Sequence, residues 1–131
     1  MENIFQKKTA KETLLELDLL VEKDGDEWFT EECEELLREL FEKYDTDKDG
    51  YWNNDEINVY FSKTNGKKLT PEEYKEIIDS FDVNDREELT LKGFFEIYHL
   101  QTLNYKEETI DDFLKNYDEK TLLEKLQPKK K

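Results

Sequence analysis

A twelve-residue acidic stretch, from Asp45 to Glu56, constrains this chain more than any other part of its sequence. Its positions 1, 3, 5 and 12 are carboxylates and its position 6 is a glycine, in the order Asp45, Asp47, Asp49, Glu56 and Gly50. Ca²⁺ takes six to eight oxygen ligands at about 2.3–2.6 Å, and a tightly coiled loop delivers them from alternate residues. Glycine allows the sharp turn because it tolerates positive φ. The spacing therefore predicts a calcium-binding loop between two helices.

Two further donors are expected inside this loop. Tyr51 at position 7 would offer its backbone carbonyl, and Asn53 at position 9 would reach the ion directly or through water. Glu56 would complete the shell with both carboxylate oxygens. The predicted metal ligands are therefore Asp45, Asp47, Asp49, Tyr51 and Glu56. An acidic turn without metal is the alternative, but such a turn does not need carboxylates at all four of these positions.

Apolar residues on both sides of the loop predict two amphipathic helices. Six of them precede the loop at helical spacing: Cys33, Leu36, Leu37, Leu40, Phe41 and Tyr44. Ile57, Tyr60 and Phe61 continue the pattern after it. With a phenylalanine four residues before the first ligand, this helix–loop–helix resembles the EF-hand family. The resemblance implies calcium as the cofactor and a second hand packed against the first.

A second loop, residues 82–93, has the length of an EF-hand loop but lacks its chemistry. Leu89 supplies the apolar residue at position 8, whereas position 5 is Arg86 and position 12 is Gly93. Arg86 is expected near the ion position, where its charge would repel Ca²⁺. We therefore predict a metal-free hand that pairs with the first through a short bridge between Leu89 and Trp52. An exposed Trp52 that anchors a partner is the alternative.

Apolar periodicity predicts helices over most of the remaining chain, and hence an all-α fold in one domain, residues 1–131. The expected units are an N-terminal helix (9–22), EF-hand 1 (31–63), a degenerate EF-hand 2 (71–103) and a C-terminal helical extension (108–126) that docks in a groove. The segment Asp24-Gly25-Asp26 is expected to be a plain turn. Thr30 and Thr70 are expected to cap the helices that follow them.

The second half of the chain carries another resemblance. The sequence from Leu89 to Phe95, with the amphipathic segment 109–117 downstream, is similar to the EF-hand modules of mitochondrial Rho GTPases. In that family, a helix after each pair of hands lies in the module's own groove as a built-in ligand. The resemblance implies that residues 109–117 fill the groove here, with a helix from another chain as the alternative. No GTPase motif is present, so only the module is implied.

The charge of the chain limits the classes of molecule that it is expected to bind. The net charge is −15, with 35 acidic and 20 basic residues, which disfavours nucleic acid and anionic membrane as partners and favours a basic protein or a cation.

The single cysteine, Cys33, excludes an intramolecular disulfide and is expected in the core. His99 has no ligand-spaced neighbour and is expected to be structural. The basic tail, Pro128 to Lys131, is expected in solvent or on an anionic contact. The absence of a signal-peptide-like or membrane-spanning run predicts a cytoplasmic location, with the cytoskeleton or cilium as a narrower alternative.

The expected function is binding rather than catalysis, because the one histidine and one cysteine form no nucleophilic set and the four glycines form no phosphate loop. Met1 is the only methionine, whereas promiscuous calcium sensors line their grooves with methionines. The predicted groove residues are instead Leu36, Leu40, Phe61, Phe81, Phe94 and Phe95. These favour a calcium-binding adaptor with one fixed protein partner. The alternatives are a calcium sensor that recruits a partner helix, and a calcium-independent subunit of a cytoskeletal or axonemal assembly.

Overall fold

Seven helices and one β-hairpin make up the part of the chain that the computed structural model describes, residues 8–128. The helices are α1 (Ala10–Glu16), α2 (Glu31–Tyr44), α3 (Asn54–Asn65), α4 (Pro71–Ser80), α5 (Leu91–Asn104), α6 (Lys106–Leu114) and α7 (Glu119–Leu126). The hairpin consists of β1 (Leu20–Lys23) and β2 (Asp26–Phe29). The all-α class predicted from the sequence is confirmed, and the hairpin is its only sheet within these residues.

The N-terminal segment differs from the helix predicted over residues 9–22. Helix α1 starts at a capping box between Thr9 and Glu12 but ends at Glu16, and the chain then turns into β1. Asp24 and Gly25, predicted as a plain turn, are the central residues of the hairpin, with φ of 51° and 88°. Positive φ at both positions matches the twist of the flanking strands. The turn prediction is thus confirmed, whereas the helix prediction for residues 17–22 was wrong because a dense run of leucines was taken as one helix.

Side-chain caps and a left-handed glycine mark the ends of helices in the two hands. The Thr30 hydroxyl accepts the Cys33 N–H at 3.1 Å and starts α2. Thr70 forms a capping box with Glu73 at the start of α4. Helix α3 ends at Gly66, whose φ of 77° is left-handed, as is common after a helix C-terminus. These ends leave the loops 45–53 and 81–90 to connect α2 with α3 and α4 with α5.

An aromatic cluster joins the two hands. The rings of Phe41 and Trp52 are stacked at 4.8 Å, and Phe94 and Tyr60 lie 4.9 and 5.1 Å from the Trp52 ring. The Trp52 side chain is 0% exposed, and its Nε1 donates to the Phe41 carbonyl at 2.9 Å. The alternative that Trp52 is an exposed anchor is therefore wrong. Cys33 is likewise 0% exposed, and burial raises the pKa of its thiol.

The C-terminal extension is two helices rather than one. Helices α6 and α7 are separated at 115–118, where the Asp118 carboxylate accepts the Thr121 N–H at 2.7 Å and caps α7. Ile110 and Phe113 of α6 are 0% exposed, and α6 packs on α5. Helix α7 buries Leu122 and Leu126 while packing on α1 and α2. The extension therefore covers the hands on two sides.

The sequence also led to expectations for His99 and for the basic tail. His99 lies beside the hairpin, where its Nε2 is 2.9 Å from the Glu27 carbonyl and its ring centroid is 5.1 Å from that of Trp28. This is a structural contact between α5 and β2. Lys129, Lys130 and Lys131 of the basic tail lie outside the described residues. Over residues 8–128, no helix has both the length and the apolar character that crossing a membrane requires.

Trp52→Ala should lower the free energy of unfolding by about 3–5 kcal/mol, because it removes a buried indole from the contact between the hands. Urea denaturation followed by circular dichroism measures this loss. Val59→Ala on α3 is the control, since Val59 is 59% exposed. The control should change stability by less than about 0.5 kcal/mol. Equal losses in the two variants would contradict a central packing role for Trp52.

Candidate metal centre

Four carboxylates of the first loop converge on one point. Each offers one oxygen, and these oxygens all lie within 4.8 Å of one another; the residues are Asp45, Asp47, Asp49 and Glu56. Oxygens on opposite sides of a bound Ca²⁺ are about 4.6–5.2 Å apart, twice the usual Ca–O distance. One ion at the centre could therefore contact all four side chains.

The loop backbone orients the three aspartates. The Gly50 N–H donates to Asp45 Oδ2 at 2.9 Å, and the Tyr51 N–H donates to Asp49 Oδ1 at 3.0 Å. A longer bond of 3.3 Å joins the Asp49 N–H to Asp47 Oδ1. Gly50 makes this coil possible with a φ of 87°. Each aspartate thus has one oxygen held by the backbone, which fixes the direction of the other.

Asp45 carries the clearest sign that the site suits a cation. The residue is 5% exposed, and its Oδ1 is buried without a hydrogen-bond partner in the described part of the chain. Buried carboxylate oxygens are almost always paired, because leaving one unpaired costs free energy. The neighbouring Asp47, Asp49 and Glu56 are acceptors and cannot supply a proton when ionised. A metal ion is the partner that this donor set fits.

Glu56 is held by the loop that it closes. It is 4% exposed, and its Oε1 accepts the Asn53 N–H at 2.9 Å. Its Oε2 accepts the Thr46 N–H at 2.7 Å, the Thr46 hydroxyl at 2.9 Å and the Asp47 N–H at 3.4 Å. Thr46 is a contact that the sequence reasoning missed, because position 2 carries no ligand in the loop pattern.

Two predicted donors have other roles in the structure. Asn53 caps α3, since its side-chain oxygen accepts the Glu56 N–H at 2.9 Å. Tyr51 holds Asp49 through its N–H, and its carbonyl as a ligand stays a prediction. The side chains of four of the five predicted ligands therefore lie together in the structure. Thr46, which was not predicted, contacts one of them, Glu56.

The charges of the cluster act on one another. Partial loss of hydration, followed by the adjacent Asp49 and Asp45 carboxylates, raises the pKa of Asp47. The pKa of Asp49 is lowered, mainly by the hydrogen bond from the Tyr51 N–H. Crowded carboxylates repel one another, and a cation would relieve that repulsion.

The second loop is closed by protein groups. The Asn84 Oδ1 accepts the N–H groups of Arg86 and Glu88, both at 2.9 Å. The Arg86 side chain is 74% exposed, and its Nε is 3.4 Å from Glu88 Oε1, which also accepts the Asn84 Nδ2–H at 2.9 Å. That its charge would repel an ion in this loop stays a prediction. Asp82 is also engaged, because its Oδ2 accepts the Thr90 hydroxyl at 2.6 Å.

Gly93 excludes a ligand at position 12 of this loop. A Cβ at Gly93 would overlap the Asp82 carbonyl oxygen and lie 2.7 Å from the Leu89 Cδ1. The predicted bridge is present, since Trp52 and Leu89 exchange two backbone hydrogen bonds of 2.9 Å. The second hand thus packs tightly against the first while leaving no room for a closing carboxylate.

Gly93→Glu should not create a second metal site, although it restores a carboxylate at position 12. The new side chain would collide with the Asp82 backbone, so the free energy of unfolding should fall by about 1–3 kcal/mol. Calorimetric titration with Ca²⁺ and urea denaturation measure the two effects. Lys92→Gln, at the exposed neighbouring position, lowers the net charge by the same one unit without the collision and is the control. A stable Gly93→Glu variant with an additional ion would contradict this account of the loop.

Comparison with known proteins agrees with this geometry. The EF-hand domain pair family matches residues 34–99, which is half of the chain and includes both loops. No curated protein and no solved structure matches the chain. The similarity to mitochondrial Rho GTPases is therefore not shown by these comparisons and stays a prediction. With two helix–loop–helix units joined by a loop bridge and an acidic cluster in the first of them, the chain belongs to the EF-hand family.

Proposed function

We propose that this protein binds one Ca²⁺ in its first loop and serves as an adaptor subunit with one dedicated protein partner. The observation that carries the calcium site is the buried, unpaired Oδ1 of Asp45 among three further carboxylates. Oxygen donors of this kind suit Ca²⁺ better than zinc or copper, which prefer nitrogen and sulfur. The closed second loop supports a stoichiometry of one ion per chain.

Helix α6 supports the adaptor role, because it packs on α5 and buries its own apolar side chains Ile110 and Phe113 there. Of the residues predicted to line the groove, five are buried and Phe81 is half-buried: Leu36, Leu40, Phe61, Phe94 and Phe95 are the buried ones. The Phe113 ring of α6 lies 6.0 Å from that of Tyr98. An apolar surface already covered by the chain itself gains little from opening when the ion binds.

Polar contacts fix α6 on three helices of the hands. The Tyr44 hydroxyl on α2 donates to Asn116 just after α6, and the Lys115 Nζ donates to the Thr64 carbonyl on α3 at 3.2 Å. The Tyr98 hydroxyl on α5 donates to Asp112 at 2.9 Å. Calcium in the first loop would then stiffen a fold whose groove is already filled, which is the behaviour of a structural adaptor.

The charge of the chain suggests the chemistry of the partner. A net charge of −15 favours a protein with a basic surface and accelerates its association. EF-hand pairs commonly act by binding other proteins, and this proposal assigns no catalytic step. A cytoplasmic location, and within it the cytoskeleton or cilium, belongs to the same proposal.

A calcium sensor is the second candidate, and one buried chain of hydroxyl groups favours it. Tyr60 lies one turn after Glu56 on α3, and its hydroxyl is 2.6 Å from that of Tyr98, which in turn contacts Asp112. Both tyrosines are 0% exposed. A movement of α3 on ion binding could pass through these groups and loosen α6, so that the groove would open for another helix.

Calorimetric titration of the protein should give one Ca²⁺ per chain, without cooperativity. Its Kd should fall between about 10⁻⁷ and 10⁻⁵ M, the range of regulatory EF-hands. Glu56→Gln should abolish most binding, because it neutralises the carboxylate that closes the shell. Asp55→Asn, at the exposed preceding residue, removes the same charge outside the cluster and should bind as the wild type does. Two sites in the wild type, or unchanged affinity in Glu56→Gln, would contradict the assignment.

Dye binding distinguishes the adaptor from the sensor. If α6 keeps the groove covered, a hydrophobic dye should bind the wild type weakly, with no increase on addition of Ca²⁺. Phe113→Ala should raise dye fluorescence, because it removes a fully buried aromatic side chain from the face of α6 that packs on α5. Leu103→Ala is the control, since Leu103 is 48% exposed on α5.

The opposite result would identify a sensor. A rise in dye fluorescence that depends on Ca²⁺ in the wild type would show that the ion opens the groove. Affinity capture with the tagged chain gives the matching comparison. An adaptor should retain its basic partner in calcium and in chelator, whereas a sensor should lose it in chelator.

A further inference from the structure

We propose that Thr46 sets the ion selectivity of this site, because its hydroxyl competes with the ion for one oxygen of Glu56. The competition lowers the preference of the loop for Ca²⁺ over Mg²⁺. This inference rests on the proposed calcium site and concerns a residue that lies outside the ligand pattern of the loop. It assigns to Thr46 a role at the site without direct contact with the ion.

The two oxygens of the Glu56 carboxylate are engaged unequally. Oε1 accepts one hydrogen bond, from the Asn53 N–H, whereas Oε2 accepts three, two of them from Thr46 and one from the Asp47 N–H. A carboxylate oxygen has about two lone-pair directions for acceptance. The two bonds from Thr46, at 2.7 and 2.9 Å, fill these directions on Oε2, whereas the Asp47 N–H at 3.4 Å is a long and weak donor. Oε1 retains room for an ion.

Only one of the three donors to Oε2 can leave easily. The N–H groups of Thr46 and Asp47 are fixed by the backbone of the coiled loop. The Thr46 hydroxyl rotates about a single side-chain bond, and the residue is exposed, so water can take over its hydrogen bond. Coordination through both oxygens of Glu56 therefore requires that this hydroxyl release Oε2.

The two divalent cations differ in how much they need that release. Ca²⁺ uses six to eight oxygens and takes both oxygens of the closing glutamate, whereas Mg²⁺ requires six in an octahedron and keeps several waters. A glutamate restrained to one free oxygen still serves Mg²⁺ but costs Ca²⁺ a ligand. The hydrogen bond from Asn53 to Oε1 is common to both ions and does not discriminate between them.

Thr46→Val tests the inference, because valine keeps the shape and the N–H of threonine and removes only the hydroxyl. Calorimetric titrations of the full chain should show Ca²⁺ binding tightened roughly three- to ten-fold, the net effect of one ordinary hydrogen bond, since water can replace the exposed hydroxyl as donor. Mg²⁺ affinity should stay within about two-fold, since Mg²⁺ does not need Oε2. Thr46→Ser retains a hydroxyl and should match the wild type with both ions. In chelator, the thermal midpoint of Thr46→Val should fall below those of the other two proteins.

The outcomes separate this inference from the proposed function. If the wild type binds Ca²⁺ and Thr46→Val binds it equally or more weakly, the hydroxyl does not compete with the ion and the inference is wrong. An equal gain for Mg²⁺ and Ca²⁺ would also overturn it, because the effect would not be selective. Failure of the wild type to bind Ca²⁺ overturns the calcium site itself and the inference with it.

Discussion

Two backbone hydrogen bonds between Trp52 and Leu89 are the constraint on which the arrangement of the hands depends. They hold the two loops side by side, so each loop restricts the backbone conformations of the other. Trp52 then points into the aromatic cluster, where Phe41 stacks on it and also accepts its indole N–H through the backbone. Because Phe41 lies in the last turns of α2 before the first loop and Trp52 lies within that loop, the same contacts that join the hands also shape the acidic coil.

The two loops satisfy their buried polar groups with different partners. Both must satisfy the polar groups of a tight coil, and both contain a residue in the left-handed region at position 6, Gly50 with φ of 87° and Glu87 with φ of 59°. The first loop gathers carboxylates and leaves Asp45 Oδ1 without a protein partner. The second uses Asn84 and Thr90 to satisfy its own groups, and Gly93 lets its end close on Asp82. A shared backbone therefore supports an ion site in one copy and a packed turn in the other.

Much of this could be predicted from residues whose chemistry is local. The spacing from Asp45 to Glu56 placed the acidic cluster, and Thr30 and Thr70 marked the starts of their helices. The hairpin was missed because Leu19, Leu20 and Val21 suit a helix and a strand equally well, and only their packing decides between the two. Thr46 could not be found, since its contact with Glu56 joins residues ten apart through the folded coil.

The position of α7 has a consequence for how the protein is made. Leu122 and Leu126 pack where α7 meets α1 and α2, so the last described helix covers elements from the first third of the chain. During synthesis, the apolar face of α2 leaves the ribosome long before the segment that covers it. We therefore expect the nascent chain to present that face to chaperones until α7 has emerged, and the hands to complete their packing only then.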